Sequence, residues 1–204
     1  MSLLVALMAV CAVGWGQQVQ LEAPWLTVYD ASGQPRWEVQ LEELHRTDSG
    51  WEGREVRVRL FTAGQERVSL QAPEITADRL GRTWTLAGPV SGWAGELAVT
   101  CSRARWADGL HLAEVTACGD DFSLTAAAAR WDGGDVVELE QVTAELGGWQ
   151  VELAGGQVDL QGQRLDGVRV RLAGHGLEVE ADSIAAWPAQ ERVVLKEARL
   201  VSHP

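Results

Sequence analysis

At 204 residues the chain is long enough for one domain or two small ones, and folding at this size buries about 70% of the surface exposed in the unfolded chain. Seventeen Lys and Arg against 29 Asp and Glu leave a formal charge of −12, with no concentrated basic patch; that field repels polyanions and excludes nucleic acid as a natural partner. Ten Trp and 22 Gly describe an ordered, turn-rich protein and exclude a disordered tail.

The chain opens on an uncharged, mostly apolar run, Ser2 to Trp15. It is shorter than the roughly 20 residues a spanning helix needs. It reads as a signal peptide, with Gly14 and Gly16 as the small pair before a cleavage site and Gln17 as the mature start. Two other readings stand beside it: a lipid anchor on Cys11, against which the bulky Met8 and Val10 count, and the truncated end of a membrane anchor. All three place Gln17 onward outside the inner membrane. The expected organisation is therefore a signal peptide or truncated anchor over 1–16 and a single domain over 17–204.

A strand is expected from Trp25 to Asp30, closed by an Ala31-Ser32-Gly33 turn. From Trp37 onward one short pattern recurs six times: Trp37–Leu41, Val68–Ala72, Leu97–Cys101, Phe122–Ala126, Trp149–Leu153 and Leu177–Ala181. The starts lie 31, 29, 25, 27 and 28 residues apart. The first, third and fifth positions of each copy are apolar or Cys, and of the intervening positions only Ala98 is not polar. Such alternation predicts strands with one oily and one wet face.

After each copy comes a second alternating segment: Glu55–Leu60, Thr83–Leu86, Leu110–Leu112, Val137–Leu139, Val168–Leu172 and Val193–Leu195. Turns are expected at Asp48–Gly50, Asp108-Gly109, Asp132–Gly134 and Gly155-Gly156, where residues tolerant of positive φ cluster. Pro73, Pro89 and Pro188 are read as lying at strand ends. In Leu112–Val115, Leu139–Val142 and Leu195–Ala198 the apolar residues stand three apart, so the alternation slips once, as at a bulge or corner. A strand that turns a corner carries its later half into another sheet. The expected fold is all-β and antiparallel, two facing sheets of about twelve to fourteen strands. The Ala run within Thr125–Arg130 and the Leu41–Leu44 segment suit a helix by propensity, but both keep the register of the repeat.

Chemistry is sparse. His45, His111, His175 and His203 are far apart and have no companions at metal-ligand spacing. Gly174-His175-Gly176 lacks the rest of a dinucleotide fingerprint, and neither a phosphate loop nor a serine elbow is present. The abundant carboxylates permit a glycosidase pair by composition, yet most recur on the wet face, where solvation accounts for them. The chain is read as a non-enzyme with no cofactor and no metal. Cys101 and Cys118 lie on neighbouring strands; a disulfide and two separate thiols, one in the core and one at the surface, both stay open. Arg57/Arg59 and Arg169/Arg171 alternate with Val, and each pair suits either cross-strand Glu or a phosphate. Trp37, Trp84 and Trp149 occupy apolar phases and are expected in the core.

Val28-Tyr29-Asp30-Ala31-Ser32-Gly33 followed by Arg36-Trp37-Glu38-Val39-Gln40-Leu41 resembles the start of the periplasmic domain of LptC-type lipopolysaccharide export proteins. The later copies resemble the repeated strands of the wider LptA/LptC (OstA-like) family, over about Leu21 to Val201. The resemblance implies a β-jellyroll open as a V, whose interior shields acyl chains of lipopolysaccharide or a similar lipid across the periplasm. It implies attachment to other envelope transport proteins through edge strands, with an inner-membrane transporter as a further partner. The expected groove wall is Trp37, Val39, Val68, Leu70, Leu97, Val99, Phe122, Leu124, Trp149 and Val151. The same residues would equally serve to pack one sheet on the other. An envelope scaffold without cargo is the rival reading.

Overall fold

Where apolar and polar residues alternate, the chain is extended, because period two places every second side chain on one face. The structure is a computed structural model and describes residues 25–119, 122–160 and 164–201. The expected leader or anchor over 1–16 lies outside the described residues. Fifteen strands follow one another: β1 (Trp25–Tyr29), β2 (Pro35–Gln40), β3 (Glu43–Arg46), β4 (Gly50–Thr62), β5 (Gln65–Asp78), β6 (Trp84–Ala94), β7 (Leu97–Trp106) and β8 (Leu110–Cys118), then β9 (Phe122–Trp131), β10 (Val136–Leu146), β11 (Trp149–Asp159), β12 (Arg164–Gly174), β13 (Leu177–Trp187), β14 (Arg192–Lys196) and β15 (Arg199–Leu200). A single turn of 3₁₀ helix, Pro188–Gln190, is the one helical element among the described residues. The Ala run at 126–129 is strand.

All fifteen strands belong to one antiparallel meander, in the order β1-β2-β4-β5 and onward in sequence to β14, with β3 on β4 and β15 on β13. The two expected facing sheets are thus two halves of a single hydrogen-bonded sheet. A crease divides them. Glu55, Glu114, Gln141, Arg169 and Glu197 all have φ between 50° and 54° in the middle of a strand or at its edge. One left-handed residue in an extended chain sends two successive side chains outward, so the inward residues stand three apart. Leu112/Val115 and Leu139/Val142 are such pairs, as the sequence predicts. Gly53/Val56 and Gly167/Val170 are two more, hidden in the sequence because Gly carries no apolar side chain.

Neighbouring strands bend at the same place: Val142 stands opposite Ala126 and Leu153, and Glu140 opposite Ala128 and Gly155. Gly155-Gly156, expected as a turn, therefore lies inside β11 at the crease. Pro73 and Pro89 are likewise not at strand ends. They sit mid-strand in β5 and β6, where the register shifts between Gln71 and Glu74 and between Ala87 and Val90. A bulge leaves backbone donors unpaired, which is the one place inside a sheet where proline costs nothing.

Folding along the crease brings the halves face to face. Trp37, opposite Leu60 in one layer, meets Trp84 of the other with ring centroids 6.3 Å apart at 72°. Trp84 stacks in turn on Trp106 at 6.1 Å. At the side, the Thr62 hydroxyl donates to the Gly133 carbonyl, and Arg67 lies 3.5 Å from Asp135. The core is the inward face of both layers.

Local turns follow from side-chain oxygens that mimic backbone acceptors. Asp30 Oδ1 accepts from Ser32 N at 2.8 Å, Ser32 Oγ at 2.6 Å and Gln34 N at 3.0 Å, closing the β1–β2 hairpin. Asp78 Oδ1 accepts from Leu80 N at 3.0 Å and Arg82 N at 2.8 Å. Desolvation opposes ionisation of Asp78, but the bonds from Arg82 and Thr83 outweigh it and hold its carboxyl below the usual aspartate range.

The cysteines among the described residues are two free thiols, Cys101 buried and Cys118 exposed, on opposite faces of the sheet. Burial pushes the Cys101 thiol up to about 11. At pH 8 iodoacetamide is expected to modify Cys118 in the folded protein and Cys101 only after urea is added, as peptide mass mapping would read. Equal labelling of both under native conditions would contradict the inward placement of Cys101.

Candidate functional site

The alternating segments pair in register, so their inward side chains form rows that cross the whole sheet. Starting at β1, one row runs Leu26, Val39, Val58, Leu70, Gly92 and Val99. It continues through Ala117, Leu124, Ala144, Val151, Leu172 and Val179 to Leu200 on β15. No polar side chain interrupts it. The interior members are buried except for the half-buried Gly92 and Val179, whereas Leu26 is 39% and Leu200 64% exposed, so the row surfaces at both ends of the sheet.

Five residues expected in the groove wall, Val39, Leu70, Val99, Leu124 and Val151, lie on this row. Trp37, Val68 and Leu97 are buried on the next row toward the hairpin turns. Trp149 is half-buried at the β10–β11 hairpin, its ring edge-on to His175 at 5.3 Å. Phe122 opens β9 opposite Leu146; its side chain lies outside the described residues. These residues share one layer of the fold.

The opposing wall was not anticipated as a wall. Trp84, Leu86, Trp106, Leu110, Trp131 and Leu165 are buried in the other layer. A signal existed: counting three instead of two at Cys101–Ala104 and Ala126–Ala129 carries the inward phase to Trp106 and Trp131. A void of about 50 Å³ lies between the layers, lined by Val68, Leu70 and Leu124 from one side and Leu110, Trp131 and Val158 from the other. The interior at this point is apolar and nearly filled. Trp84 Nε1 is the exception to its apolar character, a buried donor with no hydrogen-bond partner among the described residues.

The outer face is polar, and part of its charge is paired across strands. Arg59 Nη2 donates to Glu38 Oε2 at 2.6 Å, and its Nη1 lies 3.8 Å from Glu66 Oε2. Arg171 Nε lies 3.0 Å from Glu178 Oε1, with Nη2 3.6 Å from Glu180. For Arg59 and Arg171, cross-strand Glu is therefore the partner. No group of three or more His, Cys, Asp and Glu among the described residues stands close enough to hold a metal. His45 and His111 contact single carboxylates, Glu43 at 3.6 Å and Asp108 at 3.2 Å. No helix among the described residues is long and apolar enough to cross a membrane.

Fold and site together define an all-β jellyroll, a single meander creased over an apolar interior that runs from edge to edge. No protein-family profile matches the chain, and no curated protein matches it. Among solved structures it is similar to LptH of Pseudomonas aeruginosa, described as the LptA homologous periplasmic component of the conserved lipopolysaccharide transport device. The identity is 12%, the TM-score 0.28, and the match covers 67% of this chain and 95% of that one.

Proposed function

We propose that the protein is a non-enzymatic carrier that shields the acyl chains of lipopolysaccharide or a related glycolipid between the layers of the jellyroll, in the periplasm. The observation that supports this reading is the unbroken apolar row from Leu26 to Leu200, which emerges at both edges of the sheet. Each buried methylene gains about 0.8 kcal/mol, so an acyl chain gains little by leaving water for a short patch and much by entering a continuous one. A row of near-equivalent apolar side chains offers a path with no deep trap along it.

The ends fit the same reading. Among the described residues, strands β1 and β3 at one end and β14 and β15 at the other carry unpaired edges to which another envelope protein would add strands. In this state the layers are closed, because a void of about 50 Å³ is far smaller than an acyl chain. Cargo enters as the layers part along the side held by Thr62–Gly133 and Arg67–Asp135. The filled interior is also the observation that favours the second reading, a scaffold of the envelope without cargo.

Photo-crosslinking separates the two. Protein carrying a diazirine analogue of leucine, irradiated with lipopolysaccharide or with diacyl phospholipid vesicles, is expected to yield lipid adducts at Leu70, Leu124 and Leu172. Leu80, 72% exposed on the β5–β6 connection, serves as the surface control. Adducts at Leu80 alone, or none with either lipid, would leave the scaffold reading in possession.

A further inference from the structure

On the outward side of β11, β12, β13 and β15 the surface sinks into a hollow of about 480 Å³. Its floor is Ala154 and the strand backbone at Leu153, Val170 and Ala181, whose side chains are buried on the inward face, and its walls are charged: Arg169, Arg171 and Arg199 against Glu152, Glu180 and Asp182. The register explains the arrangement. Glu152 stands opposite Arg171, Arg171 opposite Glu180, and Glu180 opposite Arg199. One row nearer the crease, Val168 opposes Ser183 and Val170 opposes Ala181, which sets Arg169 beside Asp182. On its other side Arg169 faces the small Ala154, and this missing bulk gives the hollow its depth.

A lattice of alternating charge at strand spacing normally pairs off with itself. Here it does so only in part. Arg171 is taken by Glu178 and Glu180. Among the described residues, Arg169, Arg199, Glu152 and Asp182 have no opposite charge within ion-pair distance of 4.0 Å. Two guanidinium and two carboxylate groups therefore face solvent inside one concave site. Arg169 also stands apart from the other left-handed crease residues, Glu55, Glu114, Gln141 and Glu197, as the single cation in that set.

A simple anion would meet the carboxylates and a simple cation the guanidiniums, so neither matches the site. We propose that the hollow binds a small zwitterion, with a phosphate or carboxylate held by Arg169 and Arg199 and a primary ammonium held by Asp182 on the strand between them. Guanidinium groups suit planar, bidentate contact with such an anion, and an ammonium supplies donors to a carboxylate. An ethanolamine phosphate headgroup and a free amino acid share this chemistry. The hollow is on the opposite face of the sheet from the apolar row, so its occupancy and the carrier reading stand or fall separately.

Isothermal titration calorimetry of the full chain with glycerophosphoethanolamine at low salt tests the assignment. Saturable binding is expected, and the variants Arg169→Gln and Arg199→Gln should each weaken it by about tenfold, the scale of one lost charge-assisted pair. Gln141 already occupies the matching crease position on β10, so Arg169→Gln preserves the backbone, which an unchanged urea midpoint verifies. Titration with β-alanine distinguishes the sources: tighter glycerophosphoethanolamine assigns a headgroup, tighter β-alanine an amino acid. Absence of saturable binding to both zwitterions overturns the proposal. So does undiminished binding in both variants, or inorganic phosphate or ethanolamine alone binding as tightly as the zwitterion.

Discussion

Trp84→Ala is expected to destabilise the protein by about 4 kcal/mol, within the range for emptying a large aromatic site in a core. Trp84 is 2% exposed and joins the two layers, edge-on to Trp37 at 6.3 Å and stacked on Trp106 at 6.1 Å. Removing it deletes apolar burial and opens a cavity at the place where the halves of the sheet touch. Trp84→Phe should behave differently. It keeps a ring for Trp37 and Trp106 and removes the buried Nε1 donor, an unsatisfied group that itself costs about 1–3 kcal/mol. The net loss for phenylalanine is expected near 1 kcal/mol, since the lost ring volume and the relieved donor oppose one another. Urea midpoints followed by far-UV circular dichroism compare the two. Equal losses for Ala and Phe would mean that the indole is not the contact between layers.

The second large effect is expected at Gly92, on the apolar row between Leu70 and Val99. A Cβ added there would lie 1.8 Å from the Ser69 carbonyl oxygen and 3.0 Å from Leu70 Cα. Both atoms are backbone, fixed by the pairing of Ser69 with Trp93 and Leu70 with Gly92, so no side chain can rotate away. Gly92→Ala must push β5 and β6 apart and is expected to lose on the order of 3 kcal/mol, the upper part of the range for overpacking. Gly176→Ala is the comparison. Gly176 has φ +77° at a hairpin tip with nothing within 4 Å of its added Cβ, so only the backbone preference is lost, about 1–2 kcal/mol. Should Gly176→Ala prove the more harmful, the close approach of β5 and β6 at this rung would be refuted.

Both effects come from places where the fold departs from plain alternation, and this marks how far the sequence could be read. The six copies of the short pattern lie in β2, β5, β7, β9, β11 and β13, and the second segments lie in β4, β6, β8, β10, β12 and β14. Strand identity, inward phase and the hairpin order are local properties, because period two, polar outward positions and Gly-rich turns act over a few residues. Leu112–Val115 and Leu139–Val142 likewise announced the crease, since both inward positions carry large apolar side chains. At Gly53 and Gly167 the same geometry was silent. A glycine contributes no hydrophobic signal whichever way it faces, and the pattern cannot show a corner whose inner residue has no side chain. Pro73 and Pro89 misled for a related reason: proline marks missing hydrogen bonds, and a bulge in mid-sheet removes them as well as a strand end does.

By itself the sequence determined that this protein is built of antiparallel strands that share one apolar face, because that follows from side-chain order along each strand. Only the tertiary structure decided that the facing layers are halves of one creased meander, with Trp84, Trp106 and Trp131 opposing the row of Val39, Leu70 and Leu124. It also decided that Cys101 and Cys118 stay apart and that, among the described residues, Arg171 has carboxylates within ion-pair distance and Arg169 has none. Each of these depends on which residues meet across strands or across layers, and on where a left-handed corner rotates a side chain. Such meetings are set by register and crease geometry summed over the whole sheet, which no short stretch of sequence contains.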